Sequence, residues 1–256
     1  MYRVLYEDTH LIACEKPAGL LTHHSLLAKG EDSLHAQLSV LKGAVYPLHR
    51  LDRATSGVLL FARSKVAASA FGRLFMVVDR GITKVYLALA RGWLSADAGV
   101  IDHPLKSLSH SDQRLQPAVS HYRVLGRLEL DLDRLEVDEA KKVRTSRYSL
   151  LQMRIETGRT HQIRRHLKHL HHPIIGDSRY GKGDQNRLFR AAFNFDQLFL
   201  HSAGVSFTHP FTNEQLEILS DFKTPSDHWA GCFDHPACLN KKRLQEVCSL
   251  ALRNDY

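Results

Sequence analysis

Apolar positions along the chain alternate between two periods, and the switches mark its elements. Residues 1–6 and 9–14 read as short strands around an Asp-Thr turn. Lys16-Pro17-Ala18-Gly19 is a turn, and 20–23 is a further extended piece. Leu34, Leu38 and Leu41 recur at helical spacing behind Ser33, a fair N-cap, which predicts a helix over 31–43. The run GVLLFA (57–62) carries the signal of a buried strand. Ser64 caps a helix expected to run to Asp79, with Gly81 as its stop. A strand over 82–93 comes next, then a polar stretch from Asp97 to Pro117, with His103, Lys106, His110, Asp112 and Arg114, that reads as an exposed excursion. Strands resume at 118–125, 127–137 and 146–156, the last with Leu151, Met153 and Ile155 on one side. Thr157-Gly158 turns the chain into a helix over 159–172 with Ile163, Leu167 and Leu170 as its apolar stripe, ended by Pro173. The segment 173–187 reads as a turn-rich loop, 199–210 and 215–220 as strands, and the tail from 226 as separate in character, with a closing helix at 241–253. Strands and helices mix without regular βαβ crossovers, which argues for an α+β fold over a doubly wound sheet.

Composition narrows the class. The 256 residues are 43% apolar and 24% charged, which suits a soluble globular protein with a sizeable core. The start predicts neither a signal nor a transit peptide, and no apolar run reaches membrane-spanning length. Cys14 stands alone while Cys232, Cys238 and Cys248 crowd the tail, so a disulfide framework is not expected and a reducing cytoplasm is. No GxGxxG follows a strand and no GxxxxGK[ST] occurs. Lys plus Arg number 35 against 27 Asp plus Glu, a net charge of +8 that admits an acidic partner such as nucleic acid. Much of it concentrates in 159–172, which holds no acid at all.

Four groups of residues can carry chemistry. In HRLDRATSG (49–57), Asp52 lies between Arg50 and Arg53, so its carboxylate should stay ionised, as a nucleophile or base requires; a structural ion pair at a turn is the plainer reading. Tyr86 is either a core tyrosine or a ring that stacks on a base. Arg164 and Arg165 are adjacent, so at most one faces the core, and a buried arginine needs a carboxylate partner, for which Asp52 is the candidate. Arg159, Arg165 and Lys168 suit phosphate contacts, against the plainer reading of a solvated helix face. The histidines of 161–172 lack a neighbouring carboxylate, and His228, Cys232, His235 and Cys238 are spaced unlike zinc ligands, so no metal is expected. Ser56 lies in no recognisable triad, and no GxSxG elbow occurs.

HRLDRATSGVLLF, ITKVYLALARG, LLQMRIETGRTHQIRRHLKHLHHPIIGDSRYG and LHSAGVSFTHP together resemble, in order, the motifs of the RluA-type pseudouridine synthases. The resemblance covers roughly 5–220. It implies a catalytic domain over 1–220 with a mixed, mainly antiparallel sheet in two halves around a central basic cleft, and a C-terminal extension over 221–256 of unassigned role. It implies an isomerase that converts uridine in RNA to pseudouridine without a cofactor. QPAVSHYRV, TSRYSL and GDQNR favour a tRNA-acting member, at uridine 65 of the T stem, over a ribosomal one. By the same resemblance Asp52 is catalytic, Tyr86 stacks on the target uracil and accepts a proton, and Arg164 pairs with Asp52. Arg50 fills the gap left by a flipped nucleotide, and Ile163 walls the pocket. A monomer without protein partners is expected. A ribosomal RNA synthase and a non-catalytic RNA-binding module are the alternatives.

Overall fold

The computed structural model describes residues 2–23, 32–76, 81–108, 113–135, 145–220, 229, 232–233 and 235–238. The chain divides into two compact units, Met1–Val85 with His201–Asp221, and Tyr86–Leu200 with Phe222–Tyr256.

In the first unit β1 (Arg3–Glu7) and β2 (Leu11–Lys16) form an antiparallel pair. Asp8 turns the chain between them by accepting from the backbone N–H groups of His10 and Leu11. The helix α1 (Leu34–Lys42) starts where expected, with the Ser33 hydroxyl accepting from Ala36 N–H. Leu34 and Leu38 are buried, but Leu41 is 69% exposed, so the buried stripe is narrower than the leucine spacing suggests. After β3 (Tyr46–Pro47) comes β4 (Ser56–Ala62), whose Val58 to Ala62 are wholly buried. β4 is central, antiparallel to β2 and parallel to the later β11. The helix α2 (Lys65–Leu74) is capped by Ser64 and stops at Phe75, short of its expected end; Asp79 lies outside the described residues. Its Ala67 and Phe71 pack on Val58, Leu60 and Ala62 with Val205 and Phe207. The alternate face of β4 meets α1, where His35 stacks on Phe61.

The second unit takes the strands β5 (Ile82–Arg91, from Tyr86 onward), β6 (Ala98–Asp102), β9 (Val119–Asp131) and β10 (Thr145–Ile155), in the order β5-β10-β9-β6. The two strands expected over 118–137 are one 13-residue strand, β9, with an irregularity opposite Leu150/Leu151 that takes up Leu125. The polar excursion is partly sheet: β6 pairs β9 at an edge, and a small ribbon joins β7 (Leu105–Lys106) to β8 (Leu115–Gln116). Its polar composition reflects a half-exposed strand. His110 and Asp112 lie outside the described residues. α3 (Gln162–His169) and α4 (Gly183–Phe193) follow, α4 where a loop was expected. β11 (Leu200–Thr208) and β12 (Gln215–Leu219) form an antiparallel pair, joined to the first unit from His201 onward.

Described residues of the tail are built into the second unit. Trp229, Cys232 and Cys238 are buried, Trp229 packs on Phe199, and Ala237 accepts from Asp131 N–H. Cys14, Cys232 and Cys238 are free thiols. The helix expected at 241–253 and His228 lie outside the described residues. Among the described residues no helix is long and apolar enough to cross a membrane, and no group of three or more His, Cys, Asp or Glu could hold a metal ion.

Candidate active site

The first unit contributes the loop that carries Asp52. This loop is fastened on both sides of the aspartate. Before it, the Thr22 hydroxyl donates to the Leu51 carbonyl (3.0 Å) and accepts from Leu51 N–H (3.2 Å). After it, the Arg53 carbonyl accepts from Gly19 N–H (2.8 Å) and from the Lys16 ammonium (3.1 Å), while Arg53 Nε donates to the Gly19 carbonyl. Thr55 N–H closes the turn onto the Asp52 carbonyl. Asp52 is half-buried, and Arg50 and Arg53 are exposed. A carboxylate on a loop so pinned loses little freedom on meeting a substrate.

Lys16 is a fastener that no local pattern singles out. It is fully buried, and its ammonium also donates to the carbonyls of Pro17 (2.9 Å) and Leu20 (2.7 Å). Burial pulls this amine down to about 7, against the opposing attraction of the Asp52 carboxylate. Lys16→Met is expected to destabilise the fold by about 2 kcal/mol, because the carbonyls of Pro17, Leu20 and Arg53 lose a shared donor. Thermal melts of the two proteins would measure the loss.

The end of the same loop is set by strand packing. Gly57 has φ +109°, and a Cβ there would lie 2.1 Å from the Ser202 carbonyl oxygen, so only glycine lets β4 and β11 approach. Beside it the Ser56 hydroxyl bonds His201 Nδ1 (2.9 Å). His201 Nε2 stands 4.0 Å from Glu15, beyond hydrogen-bond range, and Glu15 is held by Arg3 (2.6 Å) and the Ser220 hydroxyl (2.7 Å). These groups order three strands and do not form a nucleophilic relay. Sequence reading had no sight of this Ser56–His201 contact, since the two are joined only by the β4–β11 register.

The second unit contributes Tyr86, buried on β5, and the residues of α3. Gln162 sets the start of that helix. Its amide accepts from the Thr157 hydroxyl and Arg159 N–H and donates to the Val119 carbonyl and the Ser120 hydroxyl. His161 precedes it at φ 56°, with Nδ1 bonded to the Tyr180 hydroxyl (3.0 Å). Ile163 and Leu167 are buried as expected, yet so are Gln162, Arg164 and His166, and Leu170 is only half-buried. Of the adjacent pair, Arg164 is the buried arginine and Arg165 the half-exposed one. Lys168 is exposed, and Arg159 donates Nε–H to the Pro117 carbonyl (3.0 Å).

Arg164 has a carboxylate partner that sequence reading did not name. Its Nε and Nη2 donate to the two oxygens of Asp177, at 2.7 and 2.9 Å, in a fork-to-fork pair with both side chains buried. Asp177 also accepts from the N–H groups of Arg179 and Tyr180. The cations of Arg164, Lys168 and Arg179 lie 5.2–5.9 Å from the Tyr180 ring. The signal was present in GDSRYG (176–181), but a turn aspartate reads first as a turn former.

A family model described as RNA pseudouridylate synthase matches residues 10–169, a span that contains Asp52, Tyr86 and Arg164. The "tRNA pseudouridine synthase C" of Vibrio cholerae is 41% identical over 228 residues, covering 85% of this chain and 90% of the relative. Its namesake in Pasteurella multocida is 41% identical over 225 residues, covering 84% and 89%. The chain belongs to the RNA pseudouridylate synthase family. The fold agrees: a solved structure, Human RNA Pseudouridylate Synthase Domain Containing 1, superposes with a TM-score of 0.72 at 23% identity, over 99% of this chain and 95% of that one. Domain Containing 4 gives 0.62 at 24% identity, over 88% and 90%. This pseudouridine synthase thus has the mixed α+β architecture with two sheet regions. Asp52 and Arg50 lie in its first unit, and Tyr86, Arg159, Ile163, Arg164, Arg165 and Lys168 in its second.

Proposed function

We propose that this synthase converts a uridine of tRNA to pseudouridine, with Asp52 as its catalytic carboxylate. The support is family membership together with an aspartate mounted on a loop pinned by Lys16, Gly19 and Thr22. The reaction breaks the bond between N1 of uracil and C1′ of ribose, turns the ring, and joins C5 to C1′. Bond count and oxidation state are conserved, so the chemistry demands no cofactor. The target uridine must leave its helix, at a cost of a few kcal/mol. Arg50, exposed beside Asp52, occupies the vacated stack in this reading.

Asp52 either attacks C1′, displacing uracil, or takes a proton from C2′ to leave a glycal. Tyr86 holds the uracil ring as it turns and receives the C5 proton. Ile163 walls the pocket. Arg164, kept in place by Asp177, provides a fixed positive charge that pairs with Asp52. The catalytic body spans 1–220 with a basic cleft between its halves, the last 36 residues are an extension, and the protein works as a cytoplasmic monomer on uridine 65, in the T stem facing the acceptor side. The names of the relatives support tRNA over ribosomal RNA.

Mapping pseudouridine in tRNA and ribosomal RNA from cells lacking the protein tests the substrate. Loss at one tRNA position with ribosomal sites intact is expected; loss confined to ribosomal RNA overturns the tRNA reading. Arg165 and Lys168 are taken to lie along the RNA backbone. Replacing either with Gln is expected to weaken binding to matched and unmatched RNAs alike, and to reduce the slope of log K against log salt by about one. Titrations at several salt concentrations check this, and a loss selective for one RNA would contradict it.

A further inference from the structure

Two histidines beside α3 play no part in the chemistry above. His103, between β6 and β7, lies face to face with His169 near the end of α3, with centroids 3.7 Å apart and planes 10° from parallel. Among the described residues no hydrogen bond engages a ring nitrogen of either. His169 is exposed and His103 half-exposed. A third histidine, His166, meets His103 edge-on and is already committed. Its Nε2 bonds the His103 carbonyl (3.0 Å), which can only accept, and its Nδ1 bonds the Ser120 hydroxyl (2.9 Å). That pattern fits a neutral, buried imidazole, so His103 and His169 are the pair left open to a ligand.

The charged groups that act on His103 from α3 are His169 and Arg165. Its chain neighbours Asp102 and Lys106 are exposed, and β9 presents the uncharged Ser120. Two imidazolium rings at 3.7 Å repel strongly, so the free protein disfavours the doubly charged stack. Partial burial and its cationic neighbours accordingly hold His103 below the ordinary histidine value. An anion placed against the ring edges reverses that balance, since it accepts N–H bonds and offsets the charge. The helix supplies no acid to compete for the rings from Arg159 to His172.

We propose that the His103–His169 stack, with Arg165, is a contact site for a backbone phosphate of the RNA substrate, and that filling it takes up a proton. The proposal rests on the tRNA reading above and adds to it a place on the protein and a pH dependence. Binding to the protonated pair makes affinity rise as pH falls. One proton taken up corresponds to about a tenfold change in affinity per pH unit between the free and bound pKa values.

The test is tRNA affinity of the full-length protein from pH 8 to pH 6 at fixed ionic strength, for wild type, H169N and H103N/H169N. His169 is exposed, so the single variant should fold even where the double one fails. Wild type is expected to bind roughly tenfold more tightly at pH 6 than at pH 8. H169N should lose most of that gain, and the double variant should be flat within about twofold. An undiminished pH dependence in H169N, or none in wild type, overturns the proposal. Pseudouridine formation by the same wild-type preparation is scored separately: tRNA modified without a histidine-dependent pH effect refutes the phosphate site alone, while failure to modify tRNA refutes the functional reading.

Discussion

Asp52→Asn should abolish pseudouridine formation, with a loss on the order of 10⁴-fold or more, because the proposed attack on C1′ or proton removal from C2′ needs the ionised carboxylate. The substitution is nearly isosteric, and the backbone of this loop is held by contacts that the side chain does not make. Leu51 is held by Thr22, and Arg53 by Lys16 and Gly19. The loop should therefore keep its course, and tRNA affinity should stay within about tenfold of wild type, 1.4 kcal/mol. Single-turnover assays and binding titrations on the same samples separate the two quantities. A variant that lost binding and turnover together would assign Asp52 to recognition.

Asp177→Asn should be the most damaging substitution for the fold. The carboxylate collects two guanidinium N–H bonds and two backbone N–H bonds while buried. Breaking a buried pair by neutralising one partner costs about 3–5 kcal/mol. Turnover should fall as well, because Arg164 loses the fork that fixes its plane. Burial by itself would raise the Asp177 carboxyl, but the Arg164 guanidinium and the amides of Tyr180 and Arg179 outweigh it and hold it below the usual carboxylate range. A carboxylate depressed in the folded state adds stability above its unfolded pKa, and that stability is lost as pH falls through the folded value. Wild type should therefore lose this contribution below about pH 4, and the variant should show a shallower acid limb in denaturant midpoints measured against pH.

Parts of the fold were legible where the local rule and the tertiary demand coincide. Ser33 and Ser64 cap their helices because a hydroxyl before an apolar turn has one good use, and GVLLFA is a central strand because a run apolar on both faces must be covered twice. Asp52 and Arg164 were conspicuous as charges set against apolar neighbours. Where the rules compete, the sequence misleads. Gly183, Asp184 and Asn186 at the start of α4 favour turns, while Leu188 and Phe189 give the helix its buried side. Asp102 and its neighbours look like solvent-exposed loop because β6 is an edge strand. Lys16 and Asp177 escape notice because their importance lies in partners remote along the chain, Arg53 for one and Arg164 for the other. The His103–His169 stack belongs to the same class, since its rings are far apart in sequence.

Tritium release from tRNA labelled at C5 of uridine reports the isomerisation itself, because C5 loses its hydrogen only when it becomes the carbon bonded to ribose. Purified wild-type protein, without added cofactor, is expected to release one equivalent of tritium per modified site from tRNA, and D52N none. Release by D52N equal to that of wild type, or no release from tRNA by wild type, would contradict an Asp52-dependent tRNA pseudouridine synthase.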